Sequence, residues 1–550
     1  MGIPALFGHF ANKYGNEIIM KSYGRVDNLF FDFNGILHIA GRLAQSASYE
    51  DICNSIINYT DYMINKINPQ GLVYIAIDGV APMAKIKQQR LRRYKSVMEN
   101  TSTISQSSLP VKIDFNMISA GTDFMKFMSN KLKQYYIENS INQQSNLFKV
   151  IISDDSEPSE GEHKIINYIR HHIDANSNEN SLIYGMDADL IMLTLLLFRK
   201  NIDIVREINI FNNDSNVISE PSLLYLNITR LGDFLIDEMT ANKIDIFTKQ
   251  KPIITDEQRR RYILDFILIS FFAGNDFLPA FECIKIKMGG LDELIINYTT
   301  LDDFIVDFNE NDSGNEEWRI NMDILSQYLY NLELREETLL SYQKYTRDKP
   351  SNNRLYGNKK SSKDNIKDHL MVDYSKIDDQ INVKKCGWQE RYYQIFFNTT
   401  RCGYQEIADE YIKGLHWNLK YYTSKCIECI DWNWSYKYHA TTLICDLYQY
   451  VTEKSLNSVE IYKQFDWNSE PLSVSLQMFL ILPPESFNIL PQHLQPYIST
   501  VLSELPEYYP PTHSLRLFEY GKQFKWECYP ILSTVDENCL NKLKTILSLH

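Results

Sequence analysis

The first 210 residues alternate short runs of β-branched and aromatic residues with longer amphipathic stretches. Such alternation is typical of an α/β domain, with a mainly parallel twisted sheet flanked by helices. We predict strands at Asn28–Phe33, Leu72–Ile77, Phe148–Ser153, Ser181–Gly185 and Ile202–Val205. Further along, Ile263–Gly274 predicts a buried helix, because apolar residues fill nearly every face and a glycine follows them.

The rest of the chain divides by composition. Residues 300–345 predict amphipathic, acidic helices, and the polar stretch from Thr346 to about Gln380 predicts a linker or surface insertion. After Cys386 the sequence is rich in aromatic residues, which predicts helices that pack through large rings. We therefore expect an α/β domain over 1–300, a helical segment and linker over 301–385, and a largely α-helical region over 386–550.

Composition excludes several classes of protein. A chain of 550 residues with 44% hydrophobic and 23% charged residues is too long for a peptide hormone and has the make-up of a folded protein. The longest apolar run, Leu190 to Phe198, is about half of a bilayer span, so we expect no membrane partner. The opening MGIPALFGHF lacks the pattern of a signal peptide.

The nine cysteines are scattered and odd in number, which favours free thiols in a reducing compartment and hence the cytosol. Cys426, Cys429, His439 and Cys445 could be imagined as a zinc site. A single CxxC without a well-spaced second pair is weak evidence for one, and we favour turn residues with free thiols.

The net charge of −14 argues against a protein that holds nucleic acid on a uniformly basic surface. One segment departs from this acidic background. Six basic residues lie between Lys85 and Lys95, and no acid occurs between Asp78 and Glu99. The sequence thus contains an island of positive charge.

Carboxylates follow the predicted strands. Because ligands bind where parallel strands deliver their carboxyl ends, these acids are expected to converge on one edge of the sheet, where Asp276 would join them. Such convergence is unfavourable unless cations lie between the acids, and oxygen-only ligands favour Mg²⁺ or Mn²⁺ over zinc. The candidate metal ligands are Asp32, Asp78, Glu160, Glu162, Asp187, Asp189 and Asp276.

Each acid also has a simpler explanation. An Asp after a strand is often the N-cap of the next helix, and Ser159 with Glu162 fits a capping box. Glu160 and Glu162 would point about 200° apart on a continuous helix, so they can face one ion only in a loop or first turn. Asp187 and Asp189 share a side in extended chain. The complete set at equivalent strand ends favours a metal site.

The basic island fits the same site. If residues 85–96 are helical, Lys85, Gln89, Arg92 and Arg93 lie on a face about 100° wide, although such faces are usually only solvated. Arginine binds phosphate through paired hydrogen bonds. Carboxylate-bound metals about 4 Å apart beside a phosphate pocket indicate phosphodiester hydrolysis, in which the metals activate water and stabilise the leaving oxygen.

The strings FDFNGILH, AIDGVAPMAKIKQQRLRR, PSEGEHKIINYIR, YGMDADLIML and GNDFLP, in this order, resemble the motifs of the Xrn family of 5′→3′ exoribonucleases. MGIPALF, GWQERYY and GLHWNLKYY extend the resemblance over most of the chain. It implies a nuclease core related to flap endonucleases, or PIN-like, and two Mg²⁺ ions, for which Mn²⁺ can substitute. The implied reaction is processive removal of nucleoside 5′-monophosphates from single-stranded RNA with a 5′-monophosphate, in mRNA decay.

Matched motif by motif, the family's metal ligands fall on the seven acids above. Its 5′-phosphate pocket falls on Lys85, Gln89, Arg92 and Arg93. Its base-stacking rings fall on His38 and Trp417, which taken alone would more often be a structural histidine and a core tryptophan.

This sequence departs from the family pattern at three positions: Ser159 where glycine is usual, Ala280 where histidine is usual, and Met83 in place of an arginine. None of them removes an acid or a pocket residue. Methionine at position 83 carries no charge, however, so it would attract RNA less than the arginine that is usual there. The resemblance ends with the second conserved region. We therefore expect any role of the accessory domains of eukaryotic relatives to be absent or supplied in trans.

Two alternatives remain. A flap-type nuclease acting on DNA structures is disfavoured by the phosphate-pocket motif and the aromatic region, and an inactive RNA-binding scaffold would require a lost acid. We expect a monomer that acts on RNA, with a decapping factor that the sequence does not identify. The abundance of Asn, Ile, Lys and Tyr is typical of an AT-rich genome, such as that of a large DNA virus or a protist.

Overall fold

The computed structural model describes residues 2–3, 5–41, 43–44, 48–103, 114–138, 148–208, 222–243, 253–310, 316–348, 380–426, 429–520, 522 and 525–548. Most of the predicted linker, residues 349–379, lies outside these ranges. The predicted domain boundaries therefore stay a prediction.

A seven-stranded, mostly parallel sheet forms the centre of the first part of the chain. All five predicted strands are present, within a few residues of their expected ends. The spatial order is β1-β7-β6-β5-β2-β3-β4, and the five strands from β2 to β6 run parallel. The strands are β1 (Ile19–Met20), β2 (Asn28–Asp32), β3 (Leu72–Ala76), β4 (Lys149–Ser153), β5 (Ser181–Tyr184), β6 (Ile202–Ile208) and β7 (Ser222–Leu226).

Two strands of this sheet were not predicted. β7 pairs antiparallel with β6, and the two-residue β1 pairs antiparallel with β7 at the edge. The strand order reverses at β2: β3 and β4 lie on one side of β2 within the sheet, and β5 and β6 lie on the other. Crevices of this kind, at the carboxyl ends of parallel strands, are where α/β sheets bind ligands.

Alternate residues of the strands feed two apolar layers, as expected for a sheet covered on both faces. Leu29 and Phe31 enter one layer with the helices at 33–41 and 49–67. Phe30 enters the other layer with the helices at 6–18, 161–172 and 256–270. The second layer continues without interruption into the aromatic part of the chain. The helices of the first part are α1 (Leu6–Ile18), α2 (Phe33–Gly41), α3 (Tyr49–Ile67), α4 (Met83–Thr103), α5 (Asp123–Lys133), α6 (Gly161–His172), α7 (Asp189–Leu195), α8 (Ile228–Met239), α9 (Asp256–Ser270) and α10 (Gly290–Tyr298).

The predicted buried helix is α9, but it begins earlier than expected. A capping box between Thr255 and Gln258 starts it at Asp256, and only its second half is buried. Its end is a 3₁₀ turn, Phe271–Ala273, followed by Gly274 at φ 82°. Ala280 packs directly against Gly274, so a side chain there would collide with the Ala280 backbone.

The prediction of amphipathic, acidic helices over 300–345 is wrong for the first half of that range. There β8 (Val306–Glu310) pairs antiparallel with β9 (Glu316–Ile320), and α11 (Met322–Asp348) follows. Asp265 stabilises the start of β8, because its buried carboxylate accepts hydrogen bonds from the backbone N–H groups of Ile305 and Val306.

The aromatic region is largely helical, as predicted. It folds onto α4, whose first residues share an apolar cluster with residues 472–546. None of the helices in the described ranges combines the length and hydropathy needed to cross a bilayer. The elements of the aromatic region are α12 (Trp388–Phe397), α13 (Tyr404–Thr423), α14 (Ile444–Lys454), α15 (Ser458–Tyr462), α16 (Val474–Ile481), α17 (Ile498–Glu504), α18 (Glu537–Ser548), β10 (Leu517–Phe518) and β11 (Tyr529–Pro530).

Candidate active site

Acidic side chains meet at the carboxyl ends of the central strands. Asp32 ends β2, Asp78 lies two residues beyond β3, and Asp187 and Asp189 follow β5, with Asp189 opening α7. Oxygen atoms of Asp32, Glu162 and Asp187 lie within 4.8 Å of one another. The convergence expected from the strand ends is therefore present.

The start of α6 brings the two glutamates into this site. Glu160 has extended backbone and is the N-cap residue, whereas Glu162 lies in the first turn, so the two need not point apart. The alternative in which Ser159 caps this helix is wrong, because the helix begins one residue later. Gly161 between the glutamates donates its backbone N–H to Asp78 Oδ1 at 2.6 Å, and a side chain on it would lie 3.0 Å from Asp32 Oδ1.

Asp276 completes the set through the N-terminal segment. The backbone N–H of Gly2 donates to Asp276 Oδ1 at 3.2 Å, and a Cβ on Gly2 would lie 2.3 Å from Asp189 Oδ1. Gly2 has φ 71°, so only glycine fits there without strain or collision. All seven predicted acids are thus joined into one cluster.

A lysine lies inside this acidic cluster. Lys85 from α4 is 5% exposed, and its ammonium pairs with Glu160 and, at 2.7 Å, with Asp276 Oδ2. Burial by itself would lower the pKa of Lys85, but the surrounding carboxylates raise it well above its ordinary value. A fixed positive charge therefore offsets part of the repulsion between the acids.

The remaining negative charge is large. Burial, reinforced by neighbouring acids, raises the pKa of Asp32 and Glu162 well above the usual range and that of Asp189 to about 7. Asp276 differs, because Lys85 and then Arg92 overcome the effect of burial and hold its pKa below its ordinary value. The cluster would hold protons near neutral pH unless further cations entered it.

The residues present fit a divalent cation. Within the described ranges, the buried atoms Glu162 Oε2 and Asp189 Oδ1 have no hydrogen-bond partner. Unpaired carboxylate oxygens in a crowded, buried acidic site are the ligands that hard cations such as Mg²⁺ prefer. A second ligand set in the described residues comprises Glu160, Glu162 and His163, and neither set contains a cysteine.

Among the described residues, Cys426, Cys429, His439 and Cys445, the disfavoured zinc site, do not form such a set. His439 stacks on Tyr529 with ring centres 5.2 Å apart, and none of the nine cysteines, all of which lie in the described ranges, forms a disulfide.

The basic island divides into two faces of α4. Lys85, Gln89, Arg92 and Arg93 share one face, as predicted; Arg92 is exposed, and Gln89 and Arg93 are half-buried. Arg93 already donates to carbonyl oxygens of Asn116 and Ile118, and burial lowers its pKa to about 10, which leaves it charged. Arg92 therefore carries the most accessible positive charge beside the acids.

The other three basic residues of the island hold the C-terminal region in place. Lys87 donates to backbone carbonyls of Tyr436 and Tyr438, Arg90 to those of Leu480 and Tyr508, and Lys95 to those of Lys525 and Cys528. Three of the six basic residues of the island thus stabilise the packing of the C-terminal region on α4. Met83 is buried in the adjoining apolar cluster, so it is a packing residue here.

The two predicted base-stacking rings have different environments. His38 lies half-buried on α2, with its ring centre 6.4 Å from that of Phe115. Trp417 on α13 is 0% exposed, stacks against Tyr421 and Trp434, and donates its indole N–H to the carbonyl of Asp431. Because this ring offers no surface to a base, we correct the assignment of Trp417 to a supporting role.

Besides His163 of the second ligand set, three further contributors to the site in the described residues were not predicted. Asn34 donates its side-chain N–H to Asp78 Oδ2 at 2.6 Å and accepts from the Asp78 backbone, so it fixes that carboxylate. Gly2 is the second, and Tyr421, whose hydroxyl donates to Glu160 Oε2 at 2.6 Å, is the third. Asn34 lies in FDFNG, two residues after Asp32, and that spacing was the available signal.

Two family models match this chain. The model described as "XRN 5'-3' exonuclease N-terminus" matches residues 1–208, and "Xrn1 helical domain" matches residues 257–377 and 356–548. The "5'-3' exoribonuclease 1" proteins of Homo sapiens and Saccharomyces cerevisiae are each 26% identical over 98% of this chain. The chain spans 34% and 43% of their lengths, and 70% of the Drosophila melanogaster "5'-3' exoribonuclease 2 homolog", which is also 26% identical.

Proposed function

The chain belongs to the XRN family of 5′-3′ exonucleases, and we propose on that basis that it is a metal-dependent 5′→3′ exoribonuclease. The observation that carries the proposal is the cluster of seven buried or half-buried carboxylates around the buried Lys85, beside the exposed Arg92. Such a site combines ligands for cations with a cationic surface for a phosphate chain. The names of the relatives, which are exoribonucleases, support RNA as substrate.

We assign the two Mg²⁺ ions of the proposed reaction to this cluster. Asp32, Glu162 and Asp187 form one ligand set, and Glu160, Glu162 and His163 form the second. Asp78, Asp189 and Asp276 belong to the same cluster of acids. The chemistry that Mg²⁺ or Mn²⁺ supplies there is activation of a water molecule and stabilisation of the leaving oxygen. The protein itself fixes the carboxylates: Asn34 holds Asp78, and Gly2 holds Asp276.

The 5′-monophosphate is proposed to bind on the exposed face of α4. Arg92 can offer a guanidinium fork and Gln89 an amide, whereas Arg93 is anchored by carbonyl oxygens and lines the pocket. Lys85 links this face to the acids. His38, six residues beyond Asp32, is proposed to contact the terminal base.

We further propose that the enzyme is a monomer that degrades single-stranded RNA processively in cytosolic mRNA decay, after a separate factor has removed the cap. The nine cysteines form no disulfide in the part of the chain that the structure describes, which supports a reducing compartment. A single phosphate-sized pocket would reject capped and triphosphate ends.

The test uses one RNA labelled in separate batches at its 5′ and 3′ ends, incubated with Mg²⁺ or with EDTA. We expect immediate release of labelled nucleoside 5′-monophosphate from the 5′ end, slow loss of the 3′ label, and no product in EDTA. Internal fragments, or preferential cleavage of branched DNA, would favour a flap-type nuclease. Binding without any hydrolysis would favour a scaffold.

A further inference from the structure

We propose that Tyr421 is a positioning residue for Glu160, through which the aromatic second region completes the acidic site. The inference rests on the proposed function, because it concerns the same site. Tyr421 lies near the end of α13, and Glu160 precedes α6, so the contact joins parts of the chain 261 residues apart. Without the second region this carboxylate would lose a hydrogen-bond donor.

The hydrogen bond fixes how the Glu160 carboxylate is turned. The Tyr421 hydroxyl donates to Oε2 at 2.6 Å, and Oε1 faces the ammonium of Lys85. Glu160 is 3% exposed and Tyr421 is 4% exposed, so water does not substitute for either partner. Tyr421 therefore leaves Oε1 as the oxygen directed at cations and prevents the carboxylate from rotating.

The phenol ring cannot easily move. It stacks on Trp417 at 4.8 Å and 14°, lies 4.0 Å from the ring centre of His163, and meets the edge of Phe277 at 5.0 Å. Trp417 is in turn fixed by its N–H donation to Asp431. Since His163 lies on α6 and Phe277 follows Asp276, the stack ties both acidic segments to α13.

This arrangement also assigns a task to Trp417. Its ring supports the ring that holds Glu160, so a change at Trp417 should act through the orientation of that carboxylate. Partners that orient ligating carboxylates typically change metal affinity or activity by about 10- to 100-fold when removed. A role in catalysis would thus come from a residue that does not itself touch the reacting atoms.

Tyr421→Phe removes the hydroxyl and keeps the ring stack. Tyr411→Phe is the matched control: Tyr411 is on the same helix, is fully buried, and within the described residues its hydroxyl has no hydrogen-bond partner. We expect Tyr421→Phe to lower kcat on 5′-monophosphate RNA about tenfold or more at subsaturating Mg²⁺, with KM for RNA unchanged. Tyr411→Phe should match the wild type.

Calorimetric titration with Mn²⁺ alone provides a readout that does not need activity. Tyr421→Phe should bind Mn²⁺ about tenfold more weakly than wild type and Tyr411→Phe. If wild type binds Mn²⁺ but does not degrade RNA, the proposed function fails while the role of Tyr421 is still decided by the titration. Unchanged Mn²⁺ affinity and kcat, or equal losses in both variants, would overturn the inference, as would an effect confined to KM.

Discussion

Replacing Lys85 with methionine should destabilise the metal-free protein far more than the Mg²⁺-loaded protein. Lys85 is buried between Glu160 and Asp276, with its ammonium 2.7 Å from Asp276 Oδ2. Methionine fills similar space without a charge, so both carboxylates lose the cation between them. A divalent cation bound by the same acids would replace that charge.

The size of the effect follows from the contacts that remain. Removing one partner of a buried ion pair costs about 3–5 kcal/mol. We expect the lower end, about 3 kcal/mol, because Tyr421 still donates to Glu160 and the Gly2 backbone still donates to Asp276. A proton can replace the lost ammonium, which raises the folded-state pKa of a carboxyl in the variant. The loss should therefore grow as pH rises, by up to about 1.4 kcal/mol per pH unit.

The assay is urea unfolding followed by circular dichroism, in EDTA and in saturating Mg²⁺, between about pH 5.5 and pH 7.5. Lys95→Met is the control, because Lys95 on the same helix donates to carbonyls of Lys525 and Cys528 and touches none of the acids in the cluster. Its cost should be the same with and without Mg²⁺. A Lys85→Met loss that is independent of both Mg²⁺ and pH would refute the argument that Lys85 neutralises the cluster.

Three further predictions concern the same region. In EDTA the wild type should lose stability as pH rises from the ordinary carboxyl pKa through about 7. Burial raises the pKa of Asp189 to about 7, and only the folded state holds that proton. Urea unfolding midpoints that rise over this pH range would contradict the prediction. Arg92→Ala should reduce hydrolysis of 5′-monophosphate RNA far more than that of 5′-hydroxyl RNA, since only the former offers an oxyanion, and equal losses in initial rate would remove Arg92 from the pocket. Ser159→Gly should stabilise the protein by about 1 kcal/mol in urea unfolding, because Ser159 has φ 94°, and destabilisation would show that its side chain is needed.

The strand pattern predicted the centre of the fold because buried parallel strands are short, continuous apolar runs. The prediction of helix is wrong at β8 and β9 because the acidic residues of these strands resemble those of an amphipathic helix. β1 was missed because two residues carry no periodicity.

The acids of the site were predictable from strand topology, whereas the residues that hold the acids in place were not. Asp32, Asp78 and Asp187 follow strands, so topology alone brings them together. Tyr421 contacts Glu160 only through tertiary packing between positions 261 residues apart, and no local sequence pattern predicts such a contact. The basic island shows the converse limit: its spacing placed Lys85, Gln89, Arg92 and Arg93 on one face of α4, but did not indicate that Arg90 would donate to backbone carbonyls.

We propose that the carboxylate cluster carries out metal-dependent hydrolysis of RNA. The most direct test measures cleavage and binding of 5′-monophosphate RNA in Mg²⁺ by Asp187→Asn and Asp189→Asn beside wild type. Loss of a metal ligand removes water activation and charge neutralisation together, so we expect cleavage to fall at least about a hundredfold while RNA affinity is largely retained. Near-normal cleavage by both variants would show that these carboxylates are structural and would contradict the account.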